Sequence, residues 1–178
     1  MWIIKRFIFL GVLSNFTALQ HLDLSHNELT DLISEEHGFD LPQNLTEIYL
    51  QNNEIYSLPF EKLKKVPAMK TINLKNNQLI DLPLSLVNNI RNGTVVFLAG
   101  NPLHCSCAAR PLKHLIMENA QPTEDFKSII CATPSHVGGN DLVEVQDENL
   151  VCSSDEDRDL HKDSNYKELS DVLFREVK

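Results

Sequence analysis

Leu19-Gln20-His21-Leu22-Asp23-Leu24-Ser25-His26-Asn27-Glu28-Leu29 decides the fold of this chain, because its apolar frame and its asparagine return three more times. Leu45, Ile48, Leu50, Asn53 and Ile55 repeat the frame, as do Met69, Ile72, Leu74, Asn77 and Leu79. A fourth copy keeps Val96, Leu98, Asn101 and Leu103 but has Gly93 at its first position. Asn27, Asn53, Asn77 and Asn101 thus stand 26, 24 and 24 residues apart. Self-similarity at this period predicts a solenoid, in which each coil buries its apolar side only by stacking on its neighbours. Alternation at Leu22/Leu24, Ile48/Leu50, Ile72/Leu74 and Val96/Leu98 predicts a short strand with one buried face in each coil. An asparagine carries two amide donors and an acceptor, so a stacked column of them can satisfy backbone groups where each coil turns away from its strand.

The returning half of each coil is periodic as well. Leu32, Leu58-Pro59 and Leu82-Pro83 follow the asparagines, then Leu63/Val66 and Val87/Ile90 recur at the spacing of a single helical or 3-10 turn. Proline just after the leucine disfavours a long helix, so the convex side is expected to be loop with brief turns. The first interval is two residues longer, which places Ser34-Glu35-Glu36-His37-Gly38 in a surface bulge. The pattern LxxLxLxxNxL resembles the leucine-rich repeat over most of residues 16–104. That resemblance implies an α/β solenoid with a parallel concave sheet and a loop and 3-10 convex side.

Four cysteines come next: Cys105, Cys107, Cys131 and Cys152. The stretch Asn101-Pro102-Leu103-His104-Cys105-Ser106-Cys107 resembles the opening of the cysteine-rich C-terminal cap of extracellular leucine-rich repeat proteins, as in Toll-like receptors, Slit and neural adhesion proteins. Arg110 to Ile116 reads as a short helix, followed by Ile130-Cys131-Ala132-Thr133-Pro134 and Asn149-Leu150-Val151-Cys152. Family members carry tryptophan near His114 and often near Leu103, and this chain has neither. Four cysteines allow three pairings, which sequence alone leaves open. The resemblance implies Cys105 with Cys131 and Cys107 with Cys152. Such a cap covers the apolar end and strand edge of the last coil. A zinc site is the weaker reading, since one residue separates Cys105 from Cys107 where structural zinc pairs have two to four.

Disulfides imply an oxidising compartment. Lys5-Arg6 precedes the apolar run Phe7 to Leu13, and small residues at Val12 and Ser14 fit a signal peptide cleaved after Ser14. The run is too short to span a bilayer. The same residues fit a second template, because Leu13, Phe16 and Leu19 have the spacing of Leu63, Val66 and Met69. Residues 1–15 are therefore read as a signal peptide or as the remnant of an earlier repeat, and both readings stand. In either case the N-terminal cysteine cap of the family is missing, which leaves the first coil uncovered.

The domain reading is then 1–15, repeats at 16–104, the cap at 105–152, and an acidic, mostly disordered tail at 153–178. Leu169, Val172, Leu173 and Val177 give that tail a short amphipathic helix. Asp155, Asp157 and Asp159 do not form an EF-hand, because Leu160 stands where glycine is needed and Tyr166 where glutamate is needed. No metal and no cofactor are expected. With 178 residues and a formal charge of −9, the chain has no basic stripe to track phosphates, so nucleic acid is not an expected partner. No membrane-spanning segment is expected either, and the chain reads as secreted, or as cell-surface if it is a fragment of an anchored protein.

Three N-x-[ST] sequons occur at Asn15, Asn44 and Asn92, and those at Asn44 and Asn92 directly precede strands, so glycans there would border one rim of the sheet. Function is expected from the outward positions of the strands, because buried leucines only build the scaffold. Alternation sends His21, Asp23 and Ser25 to the concave face beside Glu47, Tyr49 and Gln51, then Thr71, Asn73 and Lys75, then Val95, Phe97 and Ala99. Tyr49 and Phe97, with Glu47, Gln51, Asn73 and Lys75, are the candidate binding residues, since aromatics among polar neighbours suit protein interfaces. An open curved sheet lacks the enclosed pocket that small ligands favour. His21, Asp23 and Ser25 do not make a catalytic set, as a flat strand offers no oxyanion hole and excludes no water. The expectation is a non-catalytic extracellular module that binds another protein in adhesion, receptor or ligand-scavenging work. The alternative is a truncated or structural module that assembles through its uncapped first coil.

Overall fold

The computed structural model describes residues 5–7, 13, 15–31, 41–58, 60–118 and 128–152. The expected bulge at 34–38, the acidic tail and most of the run at 7–13 lie outside them. In chain order the strands and α-helices are β1 (Lys5–Phe7), β2 (His21–Asp23), β3 (Glu28–Asp31), β4 (Glu47–Tyr49), β5 (Thr71–Asn73), α1 (Leu84–Arg91), β6 (Val95–Phe97), β7 (Leu103–His104), α2 (Arg110–Glu118) and β8 (Cys131–Thr133).

The central position of each apolar triplet sets the main sheet. Leu22, Ile48, Ile72 and Val96 lie opposite one another as β2-β4-β5-β6 pair in parallel, one strand per coil. Ile48, Ile72 and Val96 are buried to 1% exposure or less, while Leu22 on the edge strand is only partly buried. Leu24, Leu50, Leu74 and Leu98 fill the next layer of a continuous core. Burial of this kind stabilises each coil only through its neighbours.

The asparagines do what their chemistry predicts. Asn77 donates to Leu50 O and Leu74 O and accepts from Ile55 N at 3.0 Å, so one buried amide bonds to the preceding coil and to its own. Asn53 makes the same three bonds with Leu24 O, Leu50 O and Leu29 N, and Asn101 with Leu74 O, Leu98 O and Leu79 N. Asn27 is half-buried and donates to Leu24 O and Ser25 O.

A second ladder runs beside the first. His26, Asn52 and Asn76 each precede a ladder asparagine with φ between 53° and 58°, and Gly100 has φ 76°. Asn76 donates to Asn52 Oδ1 at 2.9 Å, and Asn52 contacts His26 Nε2 at 3.2 Å. Left-handed backbone suits asparagine and glycine, and a short amide can bond to the next coil from there. At Gly100 an added Cβ would lie 2.1 Å from Asn76 Oδ1, so any side chain there would displace the Asn76 amide.

Past the asparagines, the rim forms a column of its own. β1 pairs in parallel with β3, with Lys5 opposite Glu28 and Arg6 opposite Leu29, a separation of one repeat. Glu54 N donates to Leu29 O, Gln78 N to Ile55 O and His104 N to Ile80 O, and the column ends in the parallel pair β7-β8. The alternation in the sequence did not disclose this second set of parallel contacts.

On the convex side the expectation holds for one coil and fails for the next. A 3-10 segment spans Phe60–Lys65, as the proline rule suggests. The following coil instead forms two full turns of α-helix in α1, and the expectation of loop and 3-10 turns alone is corrected there. Pro83 lies just before α1, with φ −71°, where the missing N–H costs no helical bond. Proline therefore set where the helix starts and did not limit its length.

The cap joins the array through β7 and β8, with Leu103 opposite Cys131. Cys105 pairs with Cys131 and Cys107 with Cys152, the pairing the resemblance implied. α2 covers the expected Arg110 to Ile116 and two residues more. Near the two positions where the resemblance implies tryptophan, Leu103 is buried and His114 contacts Asp147 through Nε2 at 2.6 Å. Lys113, also buried, donates to Val145 O and Asp147 Oδ1, both at 2.5 Å.

Candidate functional site

The parallel register arranges the outward side chains of the concave face in three rows. His21, Glu47, Thr71 and Val95 form the first row, and Asp23, Tyr49, Asn73 and Phe97 the second. Ser25, Gln51, Lys75 and Ala99 follow just beyond the strands, where Leu24 N and Leu50 N still bond across the sheet to Tyr49 O and Asn73 O. All six candidate binding residues lie on this one face. Each is neither fully buried nor fully exposed.

Contacts within the rows tie them together in two groups. Glu47 Oε2 accepts from the Tyr49 hydroxyl at 2.8 Å and from His21 Nδ1 at 2.9 Å. The bond from Tyr49, then that from His21, holds the Glu47 carboxyl below the usual range, while the same Glu47 bond pushes the Tyr49 phenol up. Asp23 is likewise lowered, first by hydrogen bonding from Ser25. At the other end, Lys75 Nζ lies 5.3 Å from the centre of the Phe97 ring, within cation–π range. Asn73 stands between the two groups and accepts from Lys75 N at 3.2 Å. Gln51 Oε1 is buried and has no hydrogen-bond partner among the described residues.

The face is thus anionic and phenolic on β2 and β4, cationic and aromatic on β5 and β6. Val95 adds a 37% exposed aliphatic beside Phe97. Such an open, chemically mixed strip can meet a polypeptide along several coils at once, with aromatic anchors at intervals. Among the described residues no cluster of three or more metal-ligating side chains occurs. No helix among them is long and apolar enough to cross a membrane.

Sequence reasoning missed His26, Asn52, Asn76 and Gly100, which set the lateral edge of this face. The signal was the doublets Asn52-Asn53 and Asn76-Asn77 and the pair Gly100-Asn101, in which only the second residue had been given a task. Of the sequon asparagines, Asn15, Asn44 and Asn92 are all exposed, and Asn44 donates to Thr17 O at 2.7 Å.

Comparison with known proteins is consistent with this architecture. The Leucine Rich Repeat family profile matches residues 18–38. The chain is similar to Protein halfway of Drosophila melanogaster, 29% identical over 143 residues, which is 76% of this chain and 22% of that protein. It is similar to lumican of Bos taurus, 38% identical over 71 residues, covering 40% of this chain and 19% of lumican. It therefore spans about a fifth of the length of these relatives. Its fold is similar to a chain in the octameric complex of Latrophilin 3, Unc5D and the leucine-rich repeats of FLRT2, with TM-score 0.64 and 23% identity over 79% of this chain and 41% of that one. The relatives are extracellular matrix or cell-surface proteins and non-enzymatic binding proteins. The chain thus has the fold of a leucine-rich repeat solenoid, its array closed by a disulfide-bonded, cysteine-rich C-terminal cap, and its residues 18–38 match the Leucine Rich Repeat family.

Proposed function

We propose that this chain is an extracellular recognition module that binds another protein through its concave sheet, in adhesion, receptor or ligand-scavenging work. The observation that carries the reading is the second row of the sheet, where Tyr49 and Phe97 stand half-exposed with Asn73 between them. Each aromatic is held by a charged neighbour, Glu47 for Tyr49 and Lys75 for Phe97, so little side-chain freedom is lost on binding. Two disulfides among the described residues favour an oxidising, secreted location. FLRT2, named in the octameric complex with Latrophilin 3 and Unc5D, is a precedent for such work.

Screening the purified chain against an array of extracellular ectodomains tests this reading. Tyr49→Ala and Phe97→Ala are each expected to weaken the resulting complex about tenfold, the loss of an interface anchor. Unchanged affinity in both variants, with melting temperature preserved, would remove the concave face as the site. Loss of binding only on changing Phe16, 57% exposed on the first coil, would move the interface there.

A further inference from the structure

The fourth coil has a gap in its frame. Leu45 and Met69 fill the first frame position with buried side chains, but Gly93 stands there in the last coil, with φ 93°. A Cβ added to Gly93 would meet nothing within 4 Å. Beside it opens a cleft of about 300 Å³ lined by Leu63, Val66, Pro67, Met69, Asn89 and Asn92. Its walls are aliphatic from the return of the second coil and Met69 of the third, and amide-bearing from the return of the third, and its size is at the lower end for a ligand site.

The mouth of this cleft carries a modification signal. Asn92-Gly93-Thr94 is a sequon, Asn92 is exposed, and its backbone is fixed as the C-cap of α1, with its N–H donating to Asn88 O at 3.1 Å. A substituent on Asn92 Nδ2 therefore starts from a fixed point at the edge of an apolar hollow. N-acetylglucosamine matches that hollow: its C–H ring face and acetyl methyl suit Leu63, Val66, Pro67 and Met69, and its acetamide suits Asn89.

We propose that Asn92 carries an N-linked glycan whose first N-acetylglucosamine seats in the cleft that Asn92 itself lines beside Leu63, Val66 and Met69. The proposal rests on the extracellular reading above, which takes the chain through the secretory route. The donor is a polyisoprenyl-pyrophosphate-linked oligosaccharide. Asn92 Nδ2 attacks the anomeric carbon, the C–N bond forms as the C–O bond to pyrophosphate breaks, the amide proton goes to a base, and lipid pyrophosphate leaves. The folded coil constrains the timing. Thr94 is buried, with its hydroxyl donating to Met69 O at 3.3 Å, so the sugar is transferred to the nascent chain before this coil closes.

The test uses the full chain secreted from human cells behind a supplied leader, with Asn15→Gln and Asn44→Gln in a second version so that only Asn92 can be modified. Glycopeptide mass spectrometry is expected to find Asn92 occupied. Endoglycosidase trimming to one sugar is expected to leave the melting temperature unchanged. Amidase removal of that last sugar, which converts Asn92 to aspartate, lowers it by about 3 °C, and lowers it below that of the unglycosylated Asn92→Gln protein by no more than the added charge explains, as read from Asn92→Asp. Glycan on Asn15 or Asn44 with Asn92 bare overturns this proposal alone. So does an occupied Asn92 whose two trimmed forms melt together. Three bare asparagines with reduced cysteines would overturn the extracellular reading as well.

Discussion

The asparagine at the end of each strand concentrates the stability of a coil in one amide. Asn77→Ala removes the partner of Ile55 N and one partner each of Leu50 O and Leu74 O, all in buried surroundings. Leu50 O keeps Asn53 and Leu74 O keeps Asn101 as donors, so the main cost is the unsatisfied Ile55 N, about 2 kcal/mol, read as a loss of unfolding free energy in a denaturant titration. Gly100→Ala tests the second ladder. The new Cβ would lie 2.1 Å from Asn76 Oδ1 at a positive φ, so the Asn76 to Asn52 bond at 2.9 Å must open. A loss of about 2 kcal/mol is expected by thermal melting, against about 1 kcal/mol for a Gly139→Ala control of similar φ but open surroundings, which carries only the backbone strain. The first ladder was legible in the sequence because its spacing is fixed and its chemistry is local to one turn. The second was not, because a left-handed backbone at His26 leaves no periodic mark when its residue type varies between histidine, asparagine and glycine.

At the level of elements, the cap is held by one acidic centre reached from a helix. Lys113 and His114 of α2 both bond to Asp147, in the 3-10 segment Asp147–Asn149. Burial alone would raise the Asp147 carboxyl, but the bonds from Lys113 and His114 outweigh it and hold the group below the ordinary aspartate value. The sign of the linkage follows: a carboxyl lowered in the folded state adds stability above its unfolded value of about 3.9. That stability is lost as pH falls through the folded value. Asp147→Asn is therefore expected to lower the melting temperature at neutral pH and to narrow the gap from wild type in strong acid. Equal gaps at both pH values would show that the charge contributes nothing. The Asp147 side chain is 43% exposed, so solvent screening keeps this contribution modest. Nothing in the sequence linked Lys113 to Asp147, 34 residues on, because that contact depends on how the cap loop returns to α2.

Across the whole molecule, a solenoid transmits loss of structure only from coil to neighbouring coil. Replacing Cys105 and Cys131 with serine removes a bridge over a separation of 26 residues, at a cost of about 3 kcal/mol. Hydrogen exchange is expected to speed up in β7, β8 and β6 and to stay unchanged in β2, three strands away. A uniform loss of protection would instead mean that the array opens as one cooperative unit. The same one-dimensional order explains the concave face. Side chains 24 or 26 residues apart become direct neighbours, as with His21 and Glu47, or Asn52 and Asn76.

The sequence by itself determined the coil, its period, the buried faces and the outward rows, because each of these follows from side-chain periodicity over a few residues, while the cap was read from its resemblance to those of extracellular leucine-rich repeat proteins. The resemblance supplied the disulfide pairing. Only the tertiary structure decided the rest: the α-helix after Pro83, the rim column through β3 and β7, the Glu47–Tyr49 and Lys75–Phe97 pairings, and the cleft beside Gly93. Those depend on which atoms of one coil meet those of the next. Periodicity records the positions that are alike in every coil. The candidate site is made of the positions that differ.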